Sequence, residues 1–205
     1  MREKMKTRLL YIHGKDGKAE EADHYKPLFP SFEVVGLDYR AGTPWKAKAE
    51  IGEAIREIRK GCDRLFLIAN SIGAFYAMNA GVGALVEKAF FISPIVDMER
   101  LILDLLAWSG ATERELEEKG RLASAFGEDL YWDYLAYVRA NPTEWRVPTE
   151  ILYGSNDELT RLETVRTFAQ TFGAHLTVMQ GGEHWFHTEE QMAFLDDVIL
   201  RFFKD

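Results

Sequence analysis

Several protein classes require features of which this chain has little. Of its 205 residues one is cysteine, Cys62, so no internal disulfide can form and a disulfide-stapled scaffold is excluded. Positive charge is in deficit: 25 lysines and arginines face 33 aspartates and glutamates, for a formal net charge of −8. There is no run of five like charges. An acidic balance disfavours non-specific attraction to nucleic acid or to anionic membrane, since both need a basic footprint, so neither is an expected partner. No apolar run approaches the roughly 18 residues that span a bilayer. The start, MREKMKTRLLYIHG, holds only a short apolar stretch before His13, too short for a signal h-region. The expectation is a soluble cytoplasmic protein in which Cys62 is an inert side chain. There is no G-x-G-x-x-G after a strand and no G-x-x-x-x-G-K-[ST], so no dinucleotide or phosphate-cradling cofactor is expected.

What is present is an ordinary globular composition, 47% hydrophobic and 28% charged, which argues against a disordered or fibrous chain. Short apolar runs at 8–12, 33–37, 65–69, 89–92, 150–153 and 175–179 alternate with longer helix-like stretches. That is the pattern of an α/β protein with a mainly parallel sheet, its strands covered on both faces. Residues 45–60 carry Ile51, Ile55 and Ile58 at helical spacing, and 189–203 carry Met192, Leu195, Ile199 and Phe202; 160–172 has the same character. The small-residue stretch 74–83 reads as a helix buried against the sheet. From 97 to 147 the alternation stops. Three helix-like pieces (98–108, 112–119, 129–140) follow one another with no good strand between them, and Thr112 to Glu115 reads as a capping box. This segment is expected to be an all-helical cap over the ligand-binding end of one domain spanning 1–205.

The first five apolar runs end in HGKDG, DYRAG, NSIG, SP and GSND, at the edge where open α/β sheets bind ligands. The sharpest of these is the third. LFLIA runs into Asn70-Ser71-Ile72-Gly73 and then into a small-residue helix, which is a G-x-S-x-G nucleophile elbow with Ala69 at the first glycine position. Such a turn strains the serine backbone, so its neighbours must be small, and it exposes the hydroxyl at a helix N-terminus. A bland alternative is a serine capping an ordinary βα turn. Serine needs a base to take its proton and an acid to orient that base. Asp157 lies in the turn after TEILYG, and His184 in the glycine-softened loop after HLTVMQ. Serine, acid and base each follow a separate strand, in the order this chemistry uses on an α/β sheet. An oxyanion hole needs two fixed donors: the N–H of Ile72, just after the nucleophile, and that of Lys15 in the HGKDG loop, where Gly14 lets the backbone turn. His13 reads as structural.

On these pieces, HG at 13–14, ANSIG at 69–73, GSND at 154–157 and GEHWF at 182–186, the chain resembles the α/β-hydrolase-fold serine hydrolases over nearly its whole length. The resemblance implies a three-layer fold with a six-stranded, mainly parallel sheet, a Ser71–His184–Asp157 triad, Lys15 and Ile72 amides as oxyanion hole, and a helical cap at 97–147. Ala69 departs from the usual glycine but is still small. The strand carrying HG comes almost first in the chain, so the expectation is a minimal version without the two leading strands of a full-length hydrolase sheet.

Rival assignments are Asp97, after ISPIV, as the acid, and His187 as a competing base or, with His184, a metal ligand. His-x-x-His without a third ligand is weak, and no metal is expected. Glu183 reads as a solvated loop residue. Trp108, Tyr131, Trp132 and Tyr134 in the cap, with Trp185 beside the base, suggest an apolar pocket for an acyl or aromatic group. The function expected is hydrolysis of a small, fairly apolar ester or thioester without a cofactor. Alternatives on the same residues are amide, lactone or carbon–carbon bond hydrolysis, acyl transfer to another acceptor, and a non-catalytic ligand-binding module.

Overall fold

The computed structural model describes residues 5–125 and 127–204. In chain order the elements are β1 (Thr7–Ile12), a 3₁₀ turn (Ala19–Tyr25), β2 (Glu33–Gly36), α1 (Pro44–Lys60), β3 (Arg64–Asn70), α2 (Ile72–Asn79), a second 3₁₀ turn (Gly83–Leu85), β4 (Lys88–Ile92), α3 (Met98–Trp108) and α4 (Glu113–Lys119). They continue with β5 (Arg121–Ala123), β6 (Asp129–Tyr131), α5 (Trp132–Ala140), β7 (Thr149–Gly154), α6 (Leu162–Phe172), β8 (His175–Met179) and α7 (Glu189–Lys204). Six strands form one parallel sheet in the order β2-β1-β3-β4-β7-β8. The central strands are covered on both faces, which is why they read as near-continuous apolar runs. In β3, Leu65, Leu67 and Ala69 face a core completed by α1, α2, α3, α5 and α6, whereas Phe66 and Ile68 face one completed by the first 3₁₀ turn and α7. The edge strands β2 and β8 are only half buried.

The segment between β4 and β7 packs back onto the first of these layers. Helix α5 lies against α3 and α1, Trp145 is buried against Phe91, and the Trp145 Nε1–H donates to Thr149 Oγ1 at 2.8 Å. The capping box forms as expected: Thr112 Oγ1 accepts from Glu115 N, and Glu115 Oε2 accepts from Thr112 N. The expectation of an all-helical segment is corrected, because β5 and β6 make a two-stranded antiparallel hairpin and α5 begins at Trp132 rather than at 129. Gly120 closes α4 with a φ of 72°, and Leu122 pairs with Leu130, the latter buried and flanked by outward Asp129 and Tyr131. Alternation over three residues is too short to be told from helical spacing.

Candidate functional site

Ser71 sits between β3 and α2 with φ 50° and ψ −117°, a conformation that costs a non-glycine residue on the order of 1–3 kcal/mol. The surroundings hold it there: Ser71 N donates to Ile92 O on β4, and Ser71 O accepts from Ile95 N and Ala74 N. Gly73 is required because a Cβ there would lie 2.5 Å from His13 O and 2.7 Å from Ile12 O. Among the described residues, the non-glycine positive φ values belong to Asp16, Ser71 and Ser93, which follow β1, β3 and β4 at one edge of the sheet.

Strands β7 and β8 deliver two more side chains to that edge. Their following loops are stapled together, since Ser155 N donates to Met179 O, Asn156 N to Gly182 O and Gly181 N to Ser155 Oγ. A Cβ on Gly154 would fall 2.4 Å from the Gly182 carbonyl, so only glycine permits this approach. Asp157 and His184 therefore meet, with His184 Nδ1 and Asp157 Oδ2 2.7 Å apart. On the other side of the ring, His184 Nε2 lies 3.0 Å from Ser71 Oγ. The Asp157 side chain is fully buried and accepts everything around it: Leu159 N and Thr160 N reach Oδ1, and Thr160 Oγ1 reaches Oδ2. An acceptor-only carboxylate requires Nδ1 of His184 to carry the proton, which leaves Nε2 as an acceptor aimed at the serine hydroxyl. The Tyr153 hydroxyl, donating to Thr160 O, is pushed up to about 12 by burial and by the nearby Asp157 charge.

The loop after β1 closes the site from the other side. Gly14 packs directly on the serine, since a Cβ there would meet Ser71 Cβ at 3.3 Å. The Gly14 carbonyl accepts from His13 Nδ1 (2.7 Å) and Gly17 N (3.2 Å). In a planar trans peptide the Lys15 N–H points opposite to that carbonyl, outward from the loop. Ile72, the first residue of α2, has an N–H with no intrahelical acceptor. The Lys15 side chain forms an ion pair with Glu128 in the β5–β6 turn, so the cap segment reaches this loop.

The remaining candidates fall elsewhere. Asp97 caps α3, its Oδ1 accepting from Arg100 N at 2.9 Å. His187 stacks on Trp185 and its Nδ1 lies 2.8 Å from Trp185 O and 3.5 Å from Glu183, and among the described residues no group of three His, Cys, Asp or Glu is arranged to hold a metal. Cys62, half-buried at the end of α1, directs Sγ at Ile58 O and Arg59 O. Trp108, Tyr131 and Trp185 are exposed, Trp132 packs against the core, and Tyr134 lies beside the Tyr76 hydroxyl. None of these five lines the groove of about 580 Å³ that runs along α6 between α3 and the end of α5. Sequence reasoning missed Thr160, whose spacing of three from Asp157 is that of a local side-chain turn, and Tyr39, whose hydroxyl donates to His13 O at 2.8 Å. No helix among the described residues is long and apolar enough to cross a membrane.

No family model and no curated protein sequence matches the chain. Solved structures do. The chain is similar to Est1E from Butyrivibrio proteoclasticus (17% identity, TM-score 0.75, 98% of this chain and 88% of that one). It is similar to mouse alpha/beta hydrolase domain-containing protein 10 (16%, TM-score 0.78, 98% and 91%) and to the thioesterase domain from the curacin biosynthetic pathway (16%, TM-score 0.58, 96% and 91%). At these identities the likeness speaks to architecture, and it agrees with the strand order and the elbow: the chain has the α/β-hydrolase fold.

Proposed function

We propose that the protein is a serine hydrolase that cleaves an ester or thioester of a small, fairly apolar substrate through an acyl-enzyme on Ser71. The observation that carries this reading is the relay from Ser71 Oγ to His184 Nε2 at 3.0 Å and from His184 Nδ1 to the buried Asp157 at 2.7 Å, with Ser71 strained at the head of a helix. Each part then has a role. His184 takes the Ser71 proton as Oγ attacks the carbonyl carbon, and Asp157 holds the tautomer that makes this possible and stabilises the imidazolium. The N–H groups of Lys15 and Ile72 receive the developing oxyanion. His184 then protonates the departing alcohol or thiol, activates a water, and collapse of the second tetrahedral species returns Ser71 and releases the acid. No cofactor enters these steps, and the single domain acts on a small acyl substrate. A cytoplasmic setting suits that chemistry.

The test is labelling with a fluorophosphonate, beside Ser71→Ala and His184→Ala, followed by a panel of nitrophenyl esters and thioesters of varied acyl length. The expectation is labelling and turnover in wild type and neither in the variants. Labelling that survives in Ser71→Ala would overturn the assignment of the nucleophile.

A further inference from the structure

The loop that carries the Lys15 amide is short, begins with a glycine and contains Asp16 at φ 57°, so it holds backbone strain that its surroundings must over-determine. Two tyrosine hydroxyls supply that restraint, one from each side of the sheet. Tyr39, 7% exposed, belongs to the core under α1 and α2; its ring stacks on His13 (centroids 4.3 Å apart, 16° between planes) and its hydroxyl donates to His13 O at 2.8 Å. Tyr11, 3% exposed, belongs to the opposite core; its hydroxyl donates to Glu21 Oε2 at 2.6 Å, while Glu21 Oε1 accepts from Lys18 N at 2.9 Å. One tyrosine thus fixes the carbonyl at the start of the loop and the other, through Glu21, fixes the amide at its end. Between those two anchors, His13 Nδ1 and Gly17 N hold the Gly14 carbonyl and so set the direction of the Lys15 N–H.

We propose that Tyr39 and Tyr11 are positioning residues that hold the Lys15 amide in register with the oxyanion formed at Ser71, a role that rests on the hydrolase reading above. Neither hydroxyl touches the reacting atoms. Burial is the main cause that raises both phenols well above their ordinary value, which favours their neutral, donating form. The arrangement restrains a loop with a glycine at its root, and electrostatic stabilisation of an oxyanion demands a donor fixed in this way.

The experiment compares the full-length wild type with Tyr39→Phe, Tyr11→Phe and the double variant, in which the rings remain. The measurements are the thermal midpoint, kcat and KM on a nitrophenyl ester with their pH dependence, inhibition by a trifluoromethyl ketone, and inhibition by the matching unreactive alcohol. The ketone adds to Ser71 and places a negative oxygen in the hole, whereas the alcohol reports ground-state binding alone. Loss of a whole oxyanion donor costs about 100- to 1,000-fold in kcat, so a donor left in place but loosened should cost about 3- to 30-fold. The expected result is that fall in kcat, a parallel fall in ketone affinity, KM and alcohol affinity within about twofold, and a pH profile superimposable on wild type because His184 and Asp157 are untouched. Folded variants with unchanged kcat and ketone affinity overturn the proposal, as does a loss confined to KM or a displaced pH profile. Should Tyr11→Phe fail to fold, Glu21→Ala, on an exposed side chain, removes the same anchor: unchanged ketone affinity there overturns the proposal and a parallel fall supports it. An active wild type with insensitive variants removes the positioning role alone. A wild type that neither labels nor turns over removes the hydrolase reading and the positioning role with it.

Discussion

Replacing Asp157 by asparagine changes one buried atom and tests the whole relay. The aspartate accepts four hydrogen bonds, from Leu159 N, Thr160 N, Thr160 Oγ1 and His184 Nδ1, and its side chain is fully buried. An amide in its place must turn an N–H₂ toward donors whichever way it is flipped. Facing His184, the amide donates to Nδ1 and drives the proton to Nε2, where the ring can no longer accept from Ser71. The transition state also loses a carboxylate beside the imidazolium. With charge centres about 4 Å apart at an effective dielectric of about 20, that interaction amounts to about 4 kcal/mol, or about three decades of rate at about 1.4 kcal/mol per decade. Tautomer reversal adds to this, so kcat should fall about 1,000- to 10,000-fold, and the same substitution in a Ser-His-Asp site of unrelated fold falls at about the upper figure. The assay is steady-state hydrolysis of a nitrophenyl ester together with the fluorophosphonate labelling rate, on protein whose circular dichroism matches wild type. Asp97→Ala is the paired control. It removes a helix cap and should lower stability by about 1 kcal/mol while leaving kcat alone. A folded Asp157→Asn variant retaining a tenth of wild-type kcat, or an Asp97→Ala variant losing as much as Asp157→Asn, would refute the reasoning.

Other outcomes follow from packing and from charge. Gly154→Ala places a Cβ 2.4 Å from the Gly182 backbone, and pushing the His184 loop by about 1 Å should cost about 100-fold in kcat, whereas Gly42→Ala, with nothing within 4 Å, should leave activity unchanged; matched kinetics of the two variants decide it. In alkali, Tyr11, Tyr25, Tyr39, Tyr76 and Tyr134 have raised folded-state values, chiefly through burial, and Tyr153 is raised to about 12. A raised pKa contributes stability that is fully present below the unfolded value of about 10 and is lost as pH rises above it, at about 1.4 kcal/mol per pH unit per tyrosine. Tyrosinate absorbance should therefore lag behind free tyrosine above pH ~10 and appear in step with loss of circular dichroism; early, non-cooperative ionisation of most tyrosines would contradict the burial.

Much of the fold is legible in the sequence because parallel strands covered on both faces are apolar without interruption, and each of the six expected runs falls on a strand of the sheet. The candidate site is legible because it sits where strands end: NSIG and GSND start on the last residues of β3 and β7, and GGEH lies just past β8. The β5–β6 hairpin was not legible. Its strands are three residues each and their pairing depends on Gly120 and on Leu130 finding the core, neither of which a local pattern announces. The helix-like pattern of the sequence starts at Thr160, but Asp157 takes its amide and hydroxyl, and α6 begins two residues later.

By itself the sequence picks out the candidate serine and base and the order of the strands that carry them, because Ser71 and His184 each sit in a neighbourhood of small and turn-forming residues, while it leaves Asp97 beside Asp157 as candidate acid. It also determined the layer pattern, since hydrophobic period follows from which faces must be buried. Only the tertiary structure separates the two candidate acids. Asp97 and Asp157 both follow strands, and only the close approach of Gly154 to Gly182 brings Asp157 to His184 while Asp97 is taken up as a cap. It alone decided, too, that tyrosines 28 positions apart grip one loop, because Tyr11 and Tyr39 reach it from opposite sides of the sheet. Contacts of that kind depend on how strands and loops are brought together in space, which spacing along the chain does not encode.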